Sequence, residues 1–550
     1  MASINVTPQE TYDAMVSNRG SMRAVSRQLG ISRGAVKYRL DKAAEMGLVY
    51  DKPVSGGKLK ADKAKPMGLP KKGELKRYII TSAQNNTDVF TAFFENLVTY
   101  AEHVDATLLV GTFSYNRNAY SQQSTKRGRG PTADDRGENW YDPIVLPYIS
   151  DNPLELAPML EWRGEMNVLP TASRPLSGLQ TYTQRRSAIF PHAKIALESV
   201  AGHAADGAKM NYTTGAVTML NYVQKKAGLT AEFHHTYGAA IVEVNHEGVW
   251  HVRQLNADSD GSFYDMPDLG ETGACFIHDG EVTSGIDIEA ANWGDLHPEV
   301  IDPEVKAVAF DEGGILDTLR PGHQFAHDVL DFRGRSHHEI KNCHQMFKRH
   351  QTKTDNVREE VQRVRDLLHE ISRDFCTTVV VDSNHDNALE RWLREADFKD
   401  DPENAIFYLE AQLDKYQAIA RNDETHHVLR EALRREGVRK DILFLGPDDP
   451  FVLCDDDSGG IEFGMHGHLG SNGSRGSAIG LSKMGRRANT GHSHSACIMD
   501  GLYVAGTFTR LRLDYTKGPS SWSHSFIVTY PNGKRTIATI YEGQWRGSTS

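Results

Sequence analysis

Near the N-terminus, from Thr7 to about Val49, apolar residues recur at helical spacing: Met22, Val25 and Leu29, then Ala35, Val36 and Leu40. Thr7-Pro8-Gln9-Glu10 combines an N-cap, a proline at the first helical position and a capping-box glutamate. Ser21 and Ser32 stand where caps of a second and third helix belong, and Gly30 ends the second. From Arg77 the pattern becomes α/β. Tyr78–Thr81 reads as a strand, Val89, Phe90, Phe93, Phe94, Leu97 and Val104 mark an amphipathic helix, and Thr107–Val110 is a second strand. This βαβ unit carries no glycine fingerprint after its first strand, so a dinucleotide site is not supported. Further strands are expected at Ile195–Leu197, Ala240–Val244 and Val249–Val252, and Lys126–Pro131 reads as an exposed loop. The helix Asp355–Arg373 has charges around most of its surface and reads as a solvated connector. Leu502–Thr507 and Ser525–Tyr530 read as strands completing a second sheet, and Pro531-Asn532-Gly533 between apolar runs marks a hairpin.

Composition adds a boundary and a partner. A chain of 550 residues exceeds one ordinary core. The division expected is 1–50, a helical head; 51–76, a flexible linker with eight lysines; 77–287, an α/β region of unassigned role; and 288–550. The formal charge of -11 hides an asymmetry: residues 1–77 hold 16 Lys/Arg and 7 Asp/Glu, a net +9, leaving -20 for the rest. A basic head on an acidic body points to an anionic partner, most simply DNA. The segment Ala24–Val36 resembles the helix-turn-helix of DNA-binding proteins, which would place Arg33, Lys37, Tyr38 and Arg39 on or near the exposed face of the third helix. The five scattered cysteines form no CxxC pair, which excludes a zinc ribbon or a disulfide framework. No apolar run approaches the roughly 18 residues of a membrane span, and the first twenty residues are too polar for a signal peptide. Cytoplasmic placement is expected, in the host cytoplasm if the chain is phage-encoded.

The chemistry is concentrated in five short clusters: Gly294-Asp295-Leu296-His297, His327-Asp328-Val329-Leu330-Asp331, Ser383-Asn384-His385-Asp386, Gly464-Met465-His466-Gly467-His468 and Gly491-His492-Ser493-His494. Each follows an apolar stretch, so each is expected at the end of a strand in one sheet. Their carboxylates, amide oxygen and imidazoles suit Mn, Fe or Zn better than Mg or Ca. His466 and His468 compete for one role; His466, the first after its strand, is preferred. His192, His203, His234 and His235 show no ligand spacing and read as structural.

In order and spacing the five clusters resemble the signature of calcineurin-like metallophosphoesterases, over roughly residues 288–520. The resemblance implies a double β-sheet sandwich flanked by helices. It implies two divalent cations, Mn first and Fe, Zn or Mg as alternatives. Asp295, His297, Asp328 and His494 would hold one cation; Asp328, Asn384, His466 and His492 would hold the other. Such a pair activates a bridging hydroxide for in-line attack on a phosphoester. His385 would serve as general acid, with Asp386 orienting it and Asp331 standing behind the ligands. Two positions depart from the family pattern: His327 and Ser383 replace its usual glycines. In general character the chain is also similar to DNA-degrading metallophosphoesterases of tailed phages. A nuclease acting on DNA is therefore the first expectation. A phosphatase or phosphodiesterase of a nucleotide or phosphoprotein, or a DNA-binding regulator with a structural metal site, remain as alternatives.

Overall fold

The structure is a computed structural model describing residues 6–18, 22–48, 63–115, 140–203, 206–336, 340–455, 459–513 and 516–549. The expected cap Ser21, linker residues 51–62 and the loop Lys126–Pro131 lie outside the described residues. The chain divides into two compact units, residues 1–62 and 63–550.

The first unit packs helices Pro8–Ser17, Met22–Leu29 and Arg33–Glu45 around Ala14, Met15, Val25 and Val36. The capping box forms: Glu10 N–H donates to Thr7 Oγ1 at 3.1 Å, and Thr7 N–H donates to Glu10 Oε2 at 2.8 Å. Gly30 adopts a φ of 66°, and Ser32 Oγ accepts from Ala35 N–H.

The second unit is α/β. Strand Lys76–Gln84, helix Thr91–His103 and strand Ala106–Phe113 form the βαβ unit, extended to a four-stranded sheet by Gly238–Val244 and Trp250–Asn256. Two larger sheets carry the five clusters. In a six-stranded sheet, Ala290–Asn292, His323–Ala326, Thr377–Val380 and Leu443–Phe444 run parallel, and the hairpin Ser525–Thr529/Arg535–Thr539 adds antiparallel to the first. In an eleven-stranded sheet, Ile461–Glu462 pairs parallel with Arg487–Thr490, which pairs parallel with Leu502–Val504. Ala290, Phe325, Val379 and Val381 of the smaller sheet pack with Ile461 and Phe463, which belong to or directly follow Ile461–Glu462. Leu502–Val504 and Ser525–Thr529, expected together, thus lie in different sheets.

The expected boundary between residues 287 and 288 separates nothing. Leu197–Val200 pairs antiparallel with Cys497–Met499, Ile498 lying opposite Leu197. Tyr78, Trp162, Tyr212 and Val242 share one core with Ile498, Tyr503, Ile527 and Ile537. The linker expectation also fails from residue 63 onward: Lys65–Pro66 pairs with Leu154–Glu155, and Ala64 is buried. The helix observed at Val357–Ile371 is no solvated connector. Val357, Val361, Val364, Leu368 and Ile371 recur at three- and four-residue spacing and are buried in the largest core, while the charged residues other than the buried Glu360 take the outer face. No helix among the described residues is long and apolar enough to cross a membrane.

Candidate metal centre

Asp295 and His297 follow strand Ala290–Asn292, Asp328 follows His323–Ala326, and Ser383–Asp386 follows Thr377–Val380. These strands are parallel neighbours, so three clusters emerge side by side. His466 follows Ile461–Glu462, and His492 and His494 follow Arg487–Thr490, its parallel neighbour in the facing sheet. The clusters therefore converge from two sheets, not from the single sheet expected. The turns are tight: His297, Asp328, His492 and His494 have φ of 43°, 49°, 71° and 57°, a left-handed backbone that L-residues adopt at a cost. A Cβ on Gly491 would stand 2.3 Å from Asp295 Oδ1, and one on Gly294 2.8 Å from Thr507 Cα; glycine is what lets the two sheets close here.

Asp295, His297, Asp328 and His494 are all buried and each offers a donor atom within 4.8 Å of the others. His494 Nε2 is 2.9 Å from Asp295 Oδ2, and His297 Nε2 is 3.2 Å from Asp328 Oδ2. His466 joins this group, its Nε2 3.3 Å from Asp328 Oδ2 and its Nδ1 3.9 Å from Asp295 Oδ1. His468 is only half-buried, its ring 5.5 Å from that of His466. His492 lies beside them, its ring 5.1 Å from that of His466, and its N–H donates to Asp295 Oδ1 at 3.1 Å. Asn384 is exposed on its turn, lining an open cleft of ≈ 610 Å³ with His468 and Arg391, and no hydrogen bond ties it to the cluster.

The donor set fits a cation. Asp295 Oδ2, Asp328 Oδ1 and both ring nitrogens of His297 and His466 are shut away from solvent, and none makes an aligned hydrogen bond. Burial alone would raise the Asp328 carboxyl; His466, His385 and His297 outweigh it and hold that group well below the ordinary range. Asp295 is held at about 2 against burial and Asp328, chiefly by His466 and His494. Against burial, Asp328 and Asp295 lift His466 to about 9. Such displacements mark carboxylates and imidazoles pressed together where a positive charge belongs.

His385 does not take Asp386 as its partner. Its Nδ1 stands 3.3 Å from Asp331 Oδ1, and the same oxygen is 3.3 Å from His297 Nδ1. Asp386 instead accepts from Leu330 N–H at 2.9 Å, while its own N–H donates to Ser383 Oγ at 3.1 Å. It starts the helix Asn387–Glu395, so its side chain is turned under the neighbouring strand-end loop rather than toward the cleft. Ser383 thus pins the turn. His327 is buried with both ring nitrogens unpartnered, its ring 5.5 Å from that of His466, and burial pushes it down to about 4. Sequence reasoning missed Trp522, whose ring lies 4.2 Å from that of His494; no local pattern signals it.

In the first unit Arg33, Lys37 and Tyr38 are exposed along the third helix. Arg39 is not free on that face: its Nε donates to Val6 O at 2.7 Å and fastens the segment before the first helix.

Protein A1 of Escherichia phage T5 is 38% identical over 481 residues, covering 86% of this chain and 83% of that one. No protein-family profile matches the chain. No solved structure matches it either. On that identity and coverage, the chain belongs to the family of the phage protein A1.

Proposed function

We propose that the protein is a metal-dependent phosphodiesterase of the calcineurin-like metallophosphoesterase type, acting as a nuclease on DNA. The observation that carries the reading is the buried Asp295, His297, Asp328, His494 group with His466 beside it, assembled from strand ends of two facing sheets. Asp295, His297, Asp328 and His494 would hold one divalent cation. Asp328 and His466 would hold a second, with His492 beside them and Asn384 at the rim. Bound there, two such cations supply Lewis acidity toward a phosphoryl group and acidify water.

The chain's own residues do the rest. Asp331 holds Nδ1 of His385, leaving Nε2 to carry a proton to the departing oxygen. Burial would lower the His385 imidazole; Asp328 and Asp331 outweigh it and keep the ring above its ordinary value, toward the protonated form. Asp331 retains this role when Asp328 is neutralised by a cation. In the first unit, exposed Arg33, Lys37 and Tyr38 and the net +4 of residues 1–62 (10 Lys/Arg against 6 Asp/Glu) favour a polyanionic substrate over a free nucleotide.

The test incubates full-length protein with Mn or EDTA on plasmid, linear and single-stranded DNA, beside a nitrophenyl phosphodiester and a nitrophenyl phosphomonoester. Mn-dependent cleavage of DNA and diester is expected, with the monoester slower. His385→Ala should slow DNA cleavage by about 10²–10⁴-fold and the nitrophenyl diester less, because nitrophenolate leaves without a proton. Activity on the monoester alone would turn the reading to a small-molecule phosphatase, and no metal-dependent hydrolysis would sink it. Removing residues 1–62 should weaken binding to long DNA and flatten its salt dependence while diester hydrolysis continues.

A further inference from the structure

Helix Ala405–Ala420 is apolar on two opposite sides. One side, with Phe407, Tyr408 and Ala411, belongs to the largest core. On the other, Ile406, Leu409, Leu413 and Tyr416 are 71%, 48%, 57% and 67% exposed, with Ile419 at 59% beside the end of the row. No other helix among the described residues exposes more than two large apolar side chains. A surface helix ordinarily shows water its polar face, and one that is apolar all round is ordinarily buried. The outer row of this helix is therefore a surface left to be covered.

Its surroundings narrow the choice of what covers it. The charged residues that flank the row are answered within the chain: Glu410 takes Arg358 at 2.6 Å, Asp414 takes Arg435, and Lys415 takes Glu390 at 2.8 Å. Two of those three flanking charges are acidic, where a helix that lies on an anionic lipid surface carries lysine and arginine. Gln412 and Gln417, also beside the row, bring no charge. The face suits an apolar partner of its own kind, and its spacing names one. The steps from Ile406 to Leu409, Leu413 and Tyr416 are three, four and three residues, the seam of a two-helix coiled coil. That series reads the same in both directions. An identical helix laid antiparallel across a twofold axis level with Ala411 sets Leu409 against Leu413 and Ile406 against Tyr416, each contact made twice.

We propose that this face joins a second copy of the chain through an antiparallel pairing of helix Ala405–Ala420. The helix is about 24 Å long, and so short a seam covers less than the roughly 800 Å² per partner of a stable interface. The pair is therefore a reversible dimer, with a dissociation constant on the order of 10 μM. It carries two copies of the unit of residues 1–62, so under the DNA reading a strand would be held at two points.

The experiment follows the full-length protein by sedimentation equilibrium from about 1 to 100 μM. The wild type should move from the mass of one chain toward twice that mass. Leu409→Glu and Leu413→Lys are made as separate variants; both positions are exposed, so each should melt as the wild type does at low concentration. Each should weaken association by at least about thirtyfold. Their equimolar mixture should recover it, because the mixed pair sets the new carboxylate against the new ammonium and leaves leucine against leucine at the other contact. A wild type that stays monomeric at about 100 μM overturns the proposal, as does a dimer that neither variant weakens. Weakening by both without recovery in the mixture refutes the antiparallel pairing. A monomeric wild type that floats with phosphatidylglycerol vesicles, and loses this with Leu409→Glu, would give the face to lipid and overturn the proposal as well.

Discussion

Among the described residues of 63–550, the largely buried charge groups around Arg253 and around Asp328 are built on different principles. Around Arg253 every charge is answered. Arg253 donates to Asp265 at 2.8 Å through both Nε and Nη2, and to Glu243 at 2.5 Å. Tyr100 adds a hydrogen bond to Asp265 at 2.7 Å, Arg77 and Gly547 N–H reach Glu243, and two arginines balance two carboxylates. The group around Asp328 has three carboxylates, Asp295, Asp328 and Asp331, answered mainly by imidazoles, with the Arg333 guanidinium reaching only Asp331 at 3.4 Å. Arginine brings fixed positive charge and five donors; neutral histidine brings one donor and one lone pair. The first group is complete as folded. In the second the carboxylates are held ionised by imidazoles, whose positive charge an entering cation can replace. That contrast separates a self-satisfied charge cluster from a candidate metal site where burial alone does not.

The sharpest way to break the comparison is to remove one carboxylate from each group. Asp328→Ala should abolish metal-dependent hydrolysis and most bound metal. The metal-free protein should melt at a lower temperature, because His466, His385 and His297 hold the Asp328 carboxyl below its ordinary range and lose that partner with it. Elemental analysis and thermal melts with and without Mn check this. Unchanged metal content would contradict the assignment of Asp328 as the shared ligand. Asp265→Ala should part from it in the metal: it strands Arg253 and should destabilise the fold by about 3–5 kcal/mol. Metal content per folded molecule should not change. Chemical denaturation read beside metal analysis separates the two, and a loss of metal in Asp265→Ala would erase the distinction.

What could be read from the sequence follows the same divide. The five clusters were legible because ligand chemistry demands particular residue types within a few positions of a strand end; Asp295, His297, Asp328, His466 and His494 indeed converge. Their division between two sheets was not legible, since it depends on pairings such as Leu197 with Ile498, some three hundred residues apart. The same long-range pairing erased the expected boundary at residue 287. Sequence adjacency misled at Asp386, which neighbours His385 in the chain but reaches Leu330, while Asp331 arrives from another strand. Arg39 misled for a similar reason, because no helical wheel reveals the Val6 carbonyl waiting for it. The helix Val357–Ile371 was within reach: its valine and leucine spacing was present, masked by dense charge on the outer face.

A smaller effect sharpens the comparison from the side of the histidines. At the metal centre, carboxylates hold His466 up at about 9, whereas burial pushes His192 down to about 4. His192 is built to be neutral: its Nδ1 accepts from Lys194 N–H at 2.9 Å, and its Nε2 faces Leu169 O at 3.1 Å as the donor. Protonating Nδ1 would set two donors against each other beside a lysine. His235 and His251 are likewise held at about 4 by burial. In the unfolded chain these rings titrate near 6.5, so between pH 6.5 and about 4 the unfolded state binds more protons. The share of stability that these three rings control should therefore fall as pH drops through that window and stay level above it. His192→Gln can keep an acceptor toward Lys194 and a donor toward Leu169, and should flatten the fall by up to about 3 kcal/mol at pH 4. Urea midpoints measured for the metal-free protein at pH 7, 5.5 and 4.5 test this. An identical pH dependence in wild type and His192→Gln would mean that the buried ring accepts its proton in the fold, and the contrast between the two histidine environments would then fail.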